Sequence, residues 1–421
     1  MYPFDKKTYL KRYAAIREQT VNICKPLAVE DFVAQPVVDV SPPKWHMGHT
    51  TWFFEAIVLN NYSDSYKEFD HRYGYLFNSY YDTVGDRVQR PNRGHMTRPT
   101  VQEIIQYREY VDEMMIKFIN NELKEVDKDL AYILELGLQH EQQHQELLVT
   151  DLKYILGMNP IFPVYKDYIE SNKTALKDKA SYIAVDEGIY EIGFDGSGFC
   201  FDNELGRHKV YLNPFKFMDR LISNGEYLEF IDDGGYQRFN FWLSEGWEWV
   251  KQQDVHAPLY WHKIDNKWCH YTLSGLEEIK SDEPVTHISY FEADAFASWK
   301  GKRLLTEAEW EVVSQLHERI PDKESNFVEN ENFRPLQCPK DGIQLMGDTW
   351  EWTGSAYLPY PGFKKTDGAI GEYNGKFMVN QMVLKGGSCA TPRDHIRASY
   401  RNFFHPYLRW QFTGIRLAES L

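Results

Sequence analysis

A helical pattern runs through Leu138-Gln139-His140-Glu141-Gln142-Gln143-His144-Gln145-Glu146 and places two histidines four residues apart. Residues at positions i and i+4 lie one above the other on the same helix face, so both imidazoles can reach one metal ion. Histidine is the commonest metal ligand in proteins. Because such a pair also occurs on ordinary solvated helices, the metal interpretation depends on finding a third ligand.

Four amphipathic helices, the last of which carries this histidine pair, are predicted in the first part of the chain. They are expected at residues 5–24, 41–60, 100–118 and 129–157. Ser41 is the predicted cap of the second helix, and Thr100 with Glu103 forms a capping box at the start of the third. Four helices with one long crossover, at residues 61–99, make a bundle that can build a metal site from facing helices. We expect this domain to occupy residues 1–157.

His49 is the best candidate for the third ligand. It shares one face of the second helix with large aromatic side chains, so we expect it to point into the interior. His46 lies one turn off that face and is expected to be an ordinary surface histidine, as are His71 and His95 in the long crossover. Three neutral imidazoles with open positions suit either zinc with an activated water or iron(II) with room for substrate and O2.

The histidine pair also satisfies His-Glu-x-x-His, the signature of zinc hydrolases in which Glu141 would be the general base. Such hydrolases need a further ligand downstream. Residues 145–151 contain no such continuation, so the hydrolase is the weaker alternative.

The long crossover carries four side chains suited to oxygen and carboxylate chemistry. The phenols of Tyr80 and Tyr81 could donate a proton to reduced oxygen, and Arg90 and Arg93 offer planar forks for a substrate carboxylate. The alternative is that the tyrosines only pack and the arginines only solvate the loop.

Composition limits the class of protein and its partners. The chain has 421 residues, which suggests two domains, and a formal charge of -15, which argues against nucleic acid or an anionic membrane as partner. No segment approaches the length of a membrane span, and the N-terminus lacks an apolar signal-peptide core. The five scattered cysteines suit a reducing compartment. We therefore expect a cytoplasmic enzyme.

The second part of the chain has a different character. Residues 158–180 are predicted to be a linker, and residues 181–421 a second domain of α+β class with much irregular structure. Its predicted strands include residues 182–185 and 209–212. Helices are expected at residues 224–231 and 290–300, and a further one opens at Thr306.

Motifs in both parts of the chain resemble those of one enzyme family. The first is Trp45-His46-Met47-Gly48-His49-Thr50-Thr51-Trp52-Phe53-Phe54-Glu55 followed by His140-Glu141-Gln142-Gln143-His144, which resembles the family's DinB-like four-helix bundle. In the second part, Gly347-Asp348-Thr349-Trp350-Glu351-Trp352-Thr353 and residues 301–310, 385–388 and 414–418 resemble the formylglycine-generating enzyme, or sulfatase-modifying factor, which has a C-type-lectin-like fold. The family that these motifs resemble is that of the sulfoxide synthases of ergothioneine biosynthesis, and the resemblance covers nearly the whole chain.

This resemblance implies a non-heme iron(II) enzyme. It would use O2 to join the thiol of cysteine or γ-glutamylcysteine to carbon 2 of the imidazole of hercynine, the N-α-trimethylated histidine, with a sulfoxide as product. By motif, His49, His140 and His144 match the family's three iron ligands.

The resemblance also implies roles in the crossover. The sequence looks like the branch in which a Tyr pair, here Tyr80 and Tyr81, supplies the active-site phenols, and in which Arg90 and Arg93 hold the carboxylate of the sulfur donor. It leaves open which tyrosine donates the proton.

For hercynine, the resemblance points to Gln143 and Asn402 as contacts. Phe403 and Phe404 stand where the other branch has Trp-Asp. A trimethylammonium group donates no hydrogen bonds and is best received by aromatic faces, so Phe403, Phe404 and Trp410 are candidate contacts, and the alternative for each is that it only packs in the core.

Three alternatives remain open. Formylglycine generation itself needs a pair of cysteines near the C-terminus, where only Cys389 is found. A sister synthase could act on histidine, as in ovothiol biosynthesis, or use a selenium donor, although ovothiol enzymes usually carry a methyltransferase domain that this sequence does not show. The third is a non-enzymatic binding module with a structural metal.

Overall fold

The computed structural model describes residues 4–79, 85–168, 177, 179–196, 198–317, 321, 323, 325–340, 342–364 and 374–421. The described residues form two compact units, the first ending at Lys166 and the second beginning at Asp167. Among these residues, no helix combines the length and the apolar character that crossing a membrane requires.

The first unit is helical, as predicted. Its α-helices are α1 (Lys6–Cys24), α2 (Pro43–Phe53), α3 (Asn60–Tyr62), α4 (Tyr73–Phe77), α5 (Val101–Lys117) and α6 (Lys128–Gly157). Two π-helical turns, Phe54–Leu59 and Phe118–Glu122, continue α2 and α5, and 3-10 turns lie at Val29–Val33 and Arg90–His95. The long helices pack as a bundle in which α2 contacts α5 and α6 and α1 contacts α6.

Side-chain capping accounts for the starts of two of these helices, at the predicted capping box of α5 and at a cap of α6 that was not predicted. The Thr100 hydroxyl accepts from the backbone N–H of Glu103 at 3.2 Å and the Glu103 carboxylate accepts from the backbone N–H of Thr100 at 2.6 Å, which confirms the capping box. The carboxylate of Asp127 caps α6 by accepting from the backbone N–H of Leu130 at 2.8 Å. Each bond satisfies an N–H that the helix leaves without an internal acceptor.

The predicted cap at Ser41 is wrong. Pro42 directly precedes α2 and no side chain caps that helix. The Ser41 hydroxyl instead accepts a hydrogen bond from Nη1 of Arg93 at 2.9 Å, and its backbone N–H donates to Oδ2 of Asp151 at 2.8 Å. Ser41 therefore joins the crossover and α6 to the start of α2.

The second unit contains helices and short strands, as predicted for an α+β domain. Its helices are α7 (Asn224–Asp232), α8 (Ser244–Gln253), α9 (Tyr290–Trp299) and α10 (Glu307–Leu316), of which only α8 was not predicted. Short 3-10 turns lie at Asp202–Glu204, Phe239–Phe241, Val328–Asn330, Gly375–Phe377 and Arg393–His395.

The strands of the second unit form several small sheets. They are β1 (Tyr182–Val185), β2 (Gly188–Ile192), β3 (His208–Leu212), β4 (Phe215–Met218), β5 (Trp261–Ile264), β6 (Lys267–Thr272), β7 (Gly275–Glu278), β8 (Arg303–Leu304), β9 (Trp350–Ala356), β10 (Met382–Lys385), β11 (Asn402–Phe404), β12 (Thr413–Gly414) and β13 (Leu417–Ser420). Among the described residues the strand orders are β1-β4-β13-β8, β11-β10-β9-β12, β2-β3 and β5-β6-β7. Both predicted strands are confirmed, and β3 begins one residue earlier than predicted.

A buried ion pair joins three of the motifs of the second unit. Glu351 on β9 accepts hydrogen bonds from Nε of Arg416 at 2.7 Å and from the indole N–H of Trp310 at 2.9 Å. All three side chains are at most 2 % exposed. The three motifs therefore meet in the core of the domain, where two of them supply the hydrogen bonds that the buried Glu351 carboxylate requires.

Candidate metal centre

The structure brings the three predicted ligands together between two facing helices. His49 comes from α2, and His140 and His144 lie one turn apart on α6. Nε2 of His49 lies 3.1 Å from Nε2 of His140, and one nitrogen from each of the three rings lies within 4.8 Å of the others. Nitrogens this close can all reach one ion, as a three-histidine centre requires.

His49 is held in one orientation by its neighbours. Its Nδ1 lies 2.6 Å from the carbonyl oxygen of Phe77, and because a carbonyl only accepts, Nδ1 carries the proton. The ring is also sandwiched between two indoles, Trp45 at 4.6 Å and 13° and Trp52 at 5.5 Å and 14°. Nε2 is thus left with its lone pair, on the side that faces His140.

Burial keeps these imidazoles neutral, which is the form that binds metals. It lowers the pKa of His140 to about 4. Burial and the ring of His140 together hold the pKa of His49 well below its usual range, and the same two causes lower the pKa of His144. At neutral pH the cluster therefore offers three nitrogen lone pairs that no protons occupy.

His46 is not the surface residue that was expected. It is 2 % exposed, and its Nδ1 lies 2.9 Å from Nδ1 of His144. On the other side of the ring, Nε2 lies 3.0 Å from Oδ2 of Asp151, a residue that the sequence reasoning did not select. The signal that could have found them is spacing, because residue 46 is three before His49 on α2 and residue 151 is seven after His144 on α6.

Glu141, the candidate base of the hydrolase alternative, is fully engaged elsewhere. It is 0 % exposed, and its carboxylate accepts hydrogen bonds from Nη1 of Arg17 at 2.7 Å, from the hydroxyl of Thr20 at 2.7 Å and from Arg108. Burial raises the pKa of Glu141, but the two guanidinium groups more than offset this and lower it to about 2. A carboxylate so acidic and so paired is a poor base for activating water.

The two candidate arginines lie on the 3-10 turn Arg90–His95. Arg93 is buried, with its guanidinium carbon 3.3 Å from the centre of the Trp45 ring, and it donates to the hydroxyls of Ser41 at 2.9 Å and Ser79 at 3.0 Å. Arg90 is half-buried and donates to the carbonyl oxygen of Asp39. Trp45 also stacks on His49, so the Trp45 ring contacts both Arg93 and a member of the histidine cluster.

The remaining candidates are spread over both units. Gln143 is half-buried on α6, one residue before His144. His71 and His95 are exposed, as predicted. Tyr80 and Tyr81 lie outside the described residues.

In the second unit, β11 carries Asn402, Phe403 and Phe404, all half-buried. Phe403 stacks on Tyr357 at 4.0 Å and 10°, and Phe404 lies edge-on to Trp410 at 5.9 Å.

Comparison with known families finds two matching domains, one in each part of the chain. Residues 12–148 match the DinB superfamily, and residues 168–337 and 341–421 match the sulfatase-modifying factor enzyme 1-like domain. The first match contains all three clustered histidines. Together they agree with the helical first unit and the mixed second unit.

Several relatives match a large part of the chain. Hercynine oxygenase of Mycobacterium tuberculosis is 30 % identical over 314 residues, which cover 69 % of this chain and 72 % of that protein. Hercynine oxygenase of Mycolicibacterium smegmatis is 31 % identical over 319 residues, with the same two coverages. Formylglycine-generating enzyme of Bos taurus is 27 % identical over 247 residues, 49 % of this chain and 65 % of that protein. A match to the DinB superfamily followed by a match to the sulfatase-modifying-factor domain, together with 30–31 % identity to two hercynine oxygenases over 69 % of the chain, means that the chain belongs to the hercynine oxygenases, the sulfoxide synthases of ergothioneine biosynthesis.

Proposed function

We propose that this protein is an iron(II)-dependent sulfoxide synthase that uses O2 to join the thiol of cysteine or γ-glutamylcysteine to carbon 2 of the hercynine imidazole. The observation that carries the proposal is the convergence of His49, His140 and His144 in one neutral cluster, in which His49 and His140 are buried and His144 is half-buried. Family membership supplies hercynine as the substrate class and oxygenation as the reaction class.

The donor set fits iron(II). Imidazole nitrogen suits iron, zinc and copper alike, and the choice of iron rests on the oxygenase chemistry of the family. When bound, iron(II) supplies a redox-active Lewis acid with open positions for substrate and O2. The hydrogen bond from His49 to Phe77 supports the fit, since metal-binding histidines usually donate their other ring N–H to a fixed acceptor.

Arg90 and Arg93 are proposed to bind the carboxylate of the sulfur donor. A guanidinium matches a carboxylate with two parallel hydrogen bonds, and Arg93 is already held in place by Trp45, Ser41 and Ser79. A pre-ordered fork loses little conformational entropy when the substrate arrives. This orientation would hold the donor beside the histidine cluster.

Tyr80 or Tyr81 is proposed to supply the proton that O2 reduction consumes. Ser79, which directly precedes the pair, is tied to Arg93, so the crossover is anchored one residue before Tyr80. A positioned phenol of this kind can act as a general acid.

Gln143, Asn402, Phe403 and Phe404 are proposed as hercynine contacts. The amides can pair with the ring nitrogens or carboxylate of hercynine, and a phenyl face can attract its trimethylammonium group by about 0.5–2 kcal/mol. Tyr357 already covers one face of Phe403, so the ring is held rigidly for such a role.

The test is a crossed-substrate assay. Protein reconstituted anaerobically with iron(II) is exposed to air with hercynine or histidine, each combined with cysteine or γ-glutamylcysteine, and products are read by mass. We expect an adduct of hercynine with one thiol plus one oxygen atom. An adduct formed only with histidine would favour the ovothiol-type alternative, and the absence of any adduct or O2 uptake would favour the binding module.

A further inference from the structure

His46 and the carboxylate of Asp151 form a line of hydrogen bonds that begins at His144. Nδ1 of His46 lies 2.9 Å from Nδ1 of His144, and Nε2 of His46 lies 3.0 Å from Oδ2 of Asp151. The same carboxylate oxygen accepts from the backbone N–H of Ser41 at 2.8 Å. His46 and Asp151 are each 2 % exposed, so water does not compete for the bond between them.

The positions of the protons in this line follow from what each group can donate. A carboxylate only accepts, so Nε2 of His46 must carry its proton towards Asp151. In a neutral imidazole the other nitrogen is then an acceptor, so Nδ1 of His46 must receive its hydrogen bond from Nδ1–H of His144. With the proton of His144 on Nδ1, its Nε2 has a lone pair.

We propose that Asp151 and His46 are positioning residues that fix His144 as the Nδ1–H tautomer and thereby present its Nε2 to the metal. The inference rests on the proposed function, because it takes His144 to be a ligand. His49 reaches the same state by donating from Nδ1 to the carbonyl of Phe77. His144 does so through a side-chain relay that a substitution can break.

The relay is built on rigid elements. His46 and His49 lie three residues apart on α2, and His144 and Asp151 lie two turns apart on α6, so both pairs project from one face of their helix. The Asp151 carboxylate is also held by the hydrogen bond from the backbone N–H of Ser41, which precedes α2. Outer residues that orient a ligand in this way are typically worth about 10–100-fold in metal affinity.

The first test reads the tautomers directly, without metal or turnover. In metal-free protein labelled with 15N-histidine, long-range proton–nitrogen correlations distinguish Nδ1–H from Nε2–H, and the signals of His144 and His46 are assigned from His144→Gln and His46→Asn. We expect Nδ1–H for His144 and Nε2–H for His46. A proton on Nε2 of His144 would overturn the inference.

The second test compares near-isosteric variants that differ only in hydrogen bonding. Asn at position 46 retains an acceptor close to the site of Nδ1, whereas Leu removes it. We expect His46→Leu and Asp151→Leu to weaken Co(II) binding by about 10–100-fold, and His46→Asn to retain clearly more of the affinity than His46→Leu. Equal Co(II) affinity of His46→Asn and His46→Leu would overturn the relay.

A matched control separates this effect from lost stability. Gln145 is also buried on α6 and donates to the backbone carbonyl of Ile16 at 2.7 Å, away from the relay. Gln145→Leu should lower the unfolding temperature while Co(II) affinity stays near that of wild type; a loss matching that of His46→Leu would overturn the relay. Wild type that binds neither Co(II) nor iron(II) would overturn the proposed function as well, whereas wild type that binds metal with the proton of His144 on Nε2 would overturn only the inference.

Discussion

Phe77 contacts two neighbouring residues of α2: its carbonyl oxygen accepts a hydrogen bond from His49, and its ring packs against Gly48. The carbonyl accepts from Nδ1 of His49 at 2.6 Å, and the ring lies against Gly48, where an added Cβ would come within 2.3 Å of Cε1 of Phe77. The residue next to the proposed ligand must therefore be small.

Gly48→Ala should disturb the metal site through Phe77. The methyl group would displace the Phe77 ring and with it the carbonyl that orients His49, and such overpacking typically costs about 1–3 kcal/mol. We expect a lower unfolding temperature and weaker Co(II) binding. Gly74→Ala is the matched control, because a Cβ there meets nothing within 4 Å.

A second substitution tests the cause of the Gly48→Ala effect. Combining it with Phe77→Val makes room for the new methyl group while keeping the backbone carbonyl of residue 77. If the double variant binds Co(II) no better than Gly48→Ala alone, the steric explanation fails.

Glu141→Gln should act on stability. Removing one partner of a buried ion pair leaves an uncompensated charge and typically costs about 3–5 kcal/mol. Glu135→Gln on the same helix is the control: its pair with Arg12 is 37 % and 23 % exposed, and such pairs contribute about 0–1 kcal/mol. Urea unfolding of both variants gives the comparison. A Glu141→Gln protein as stable as Glu135→Gln would contradict the structural role assigned to Glu141.

The second unit should lose stability as the pH rises through the pKa of Asp348. Burial raises the pKa of this carboxyl from about 3.8 to about 6. The folded state therefore holds the proton more tightly than the unfolded state, and the stability present below pH 4 is lost as the pH rises through 6, by about 3 kcal/mol.

Asp348→Asn isolates this contribution, because an amide does not titrate. Its Oδ1 can still accept from Asn326 and from the backbone N–H of Leu336, both 2.7 Å from Asp348. Between pH 4 and pH 7, we expect the variant to lose about 2 kcal/mol less unfolding free energy than wild type. Asp282→Asn, at an exposed position, should behave like wild type. Identical pH profiles for wild type and Asp348→Asn would rule out the assignment.

Replacing both Tyr80 and Tyr81 by Phe should change the ratio of sulfoxide to oxidised thiol among the products. Without a phenolic proton donor we expect sulfoxide formation to fall by about 10²–10⁴-fold, the usual worth of a general acid, while oxidation of the thiol alone gains in proportion. Product ratios by mass give the answer, and the single variants identify the donor. An unchanged ratio in the double variant would remove the tyrosines from the mechanism.

The helices could be predicted wherever the sequence contains their ends. Thr100 and Glu103 determine the start of α5 by a local reciprocal bond. The apolar pattern of α6 predicted its end at Gly157, and the helix starts one residue before the predicted residue 129, after a cap at Asp127 that was not predicted. Such signals lie within a few residues of one another, so no tertiary contact is needed to read them.

His46 could not be placed by the same reasoning. Every residue of α2 from Pro43 to Phe53 is buried. A helix without a solvated face has no polar stripe against which an inward direction can be read, so the period alone did not distinguish His46 from a surface residue. Its partners, His144 and Asp151, are about a hundred residues away in sequence.

Ser41 was misread for a related reason. A serine before Pro-Pro at a helix start is typical of a cap, but Arg93 and Asp151 offered it longer-range partners. Tertiary contacts therefore replaced the local bond.

The most direct test of the account is an anaerobic iron(II) titration of wild type and of the single variants His49→Ala, His140→Ala and His144→Ala, with the exposed His95→Ala as control. We predict one tightly bound iron per chain in wild type and in His95→Ala, and affinity lower by at least about 100-fold in each of the other three. Iron binding that is absent from wild type, or that survives unchanged in the His49, His140 and His144 variants, would contradict the three-histidine centre.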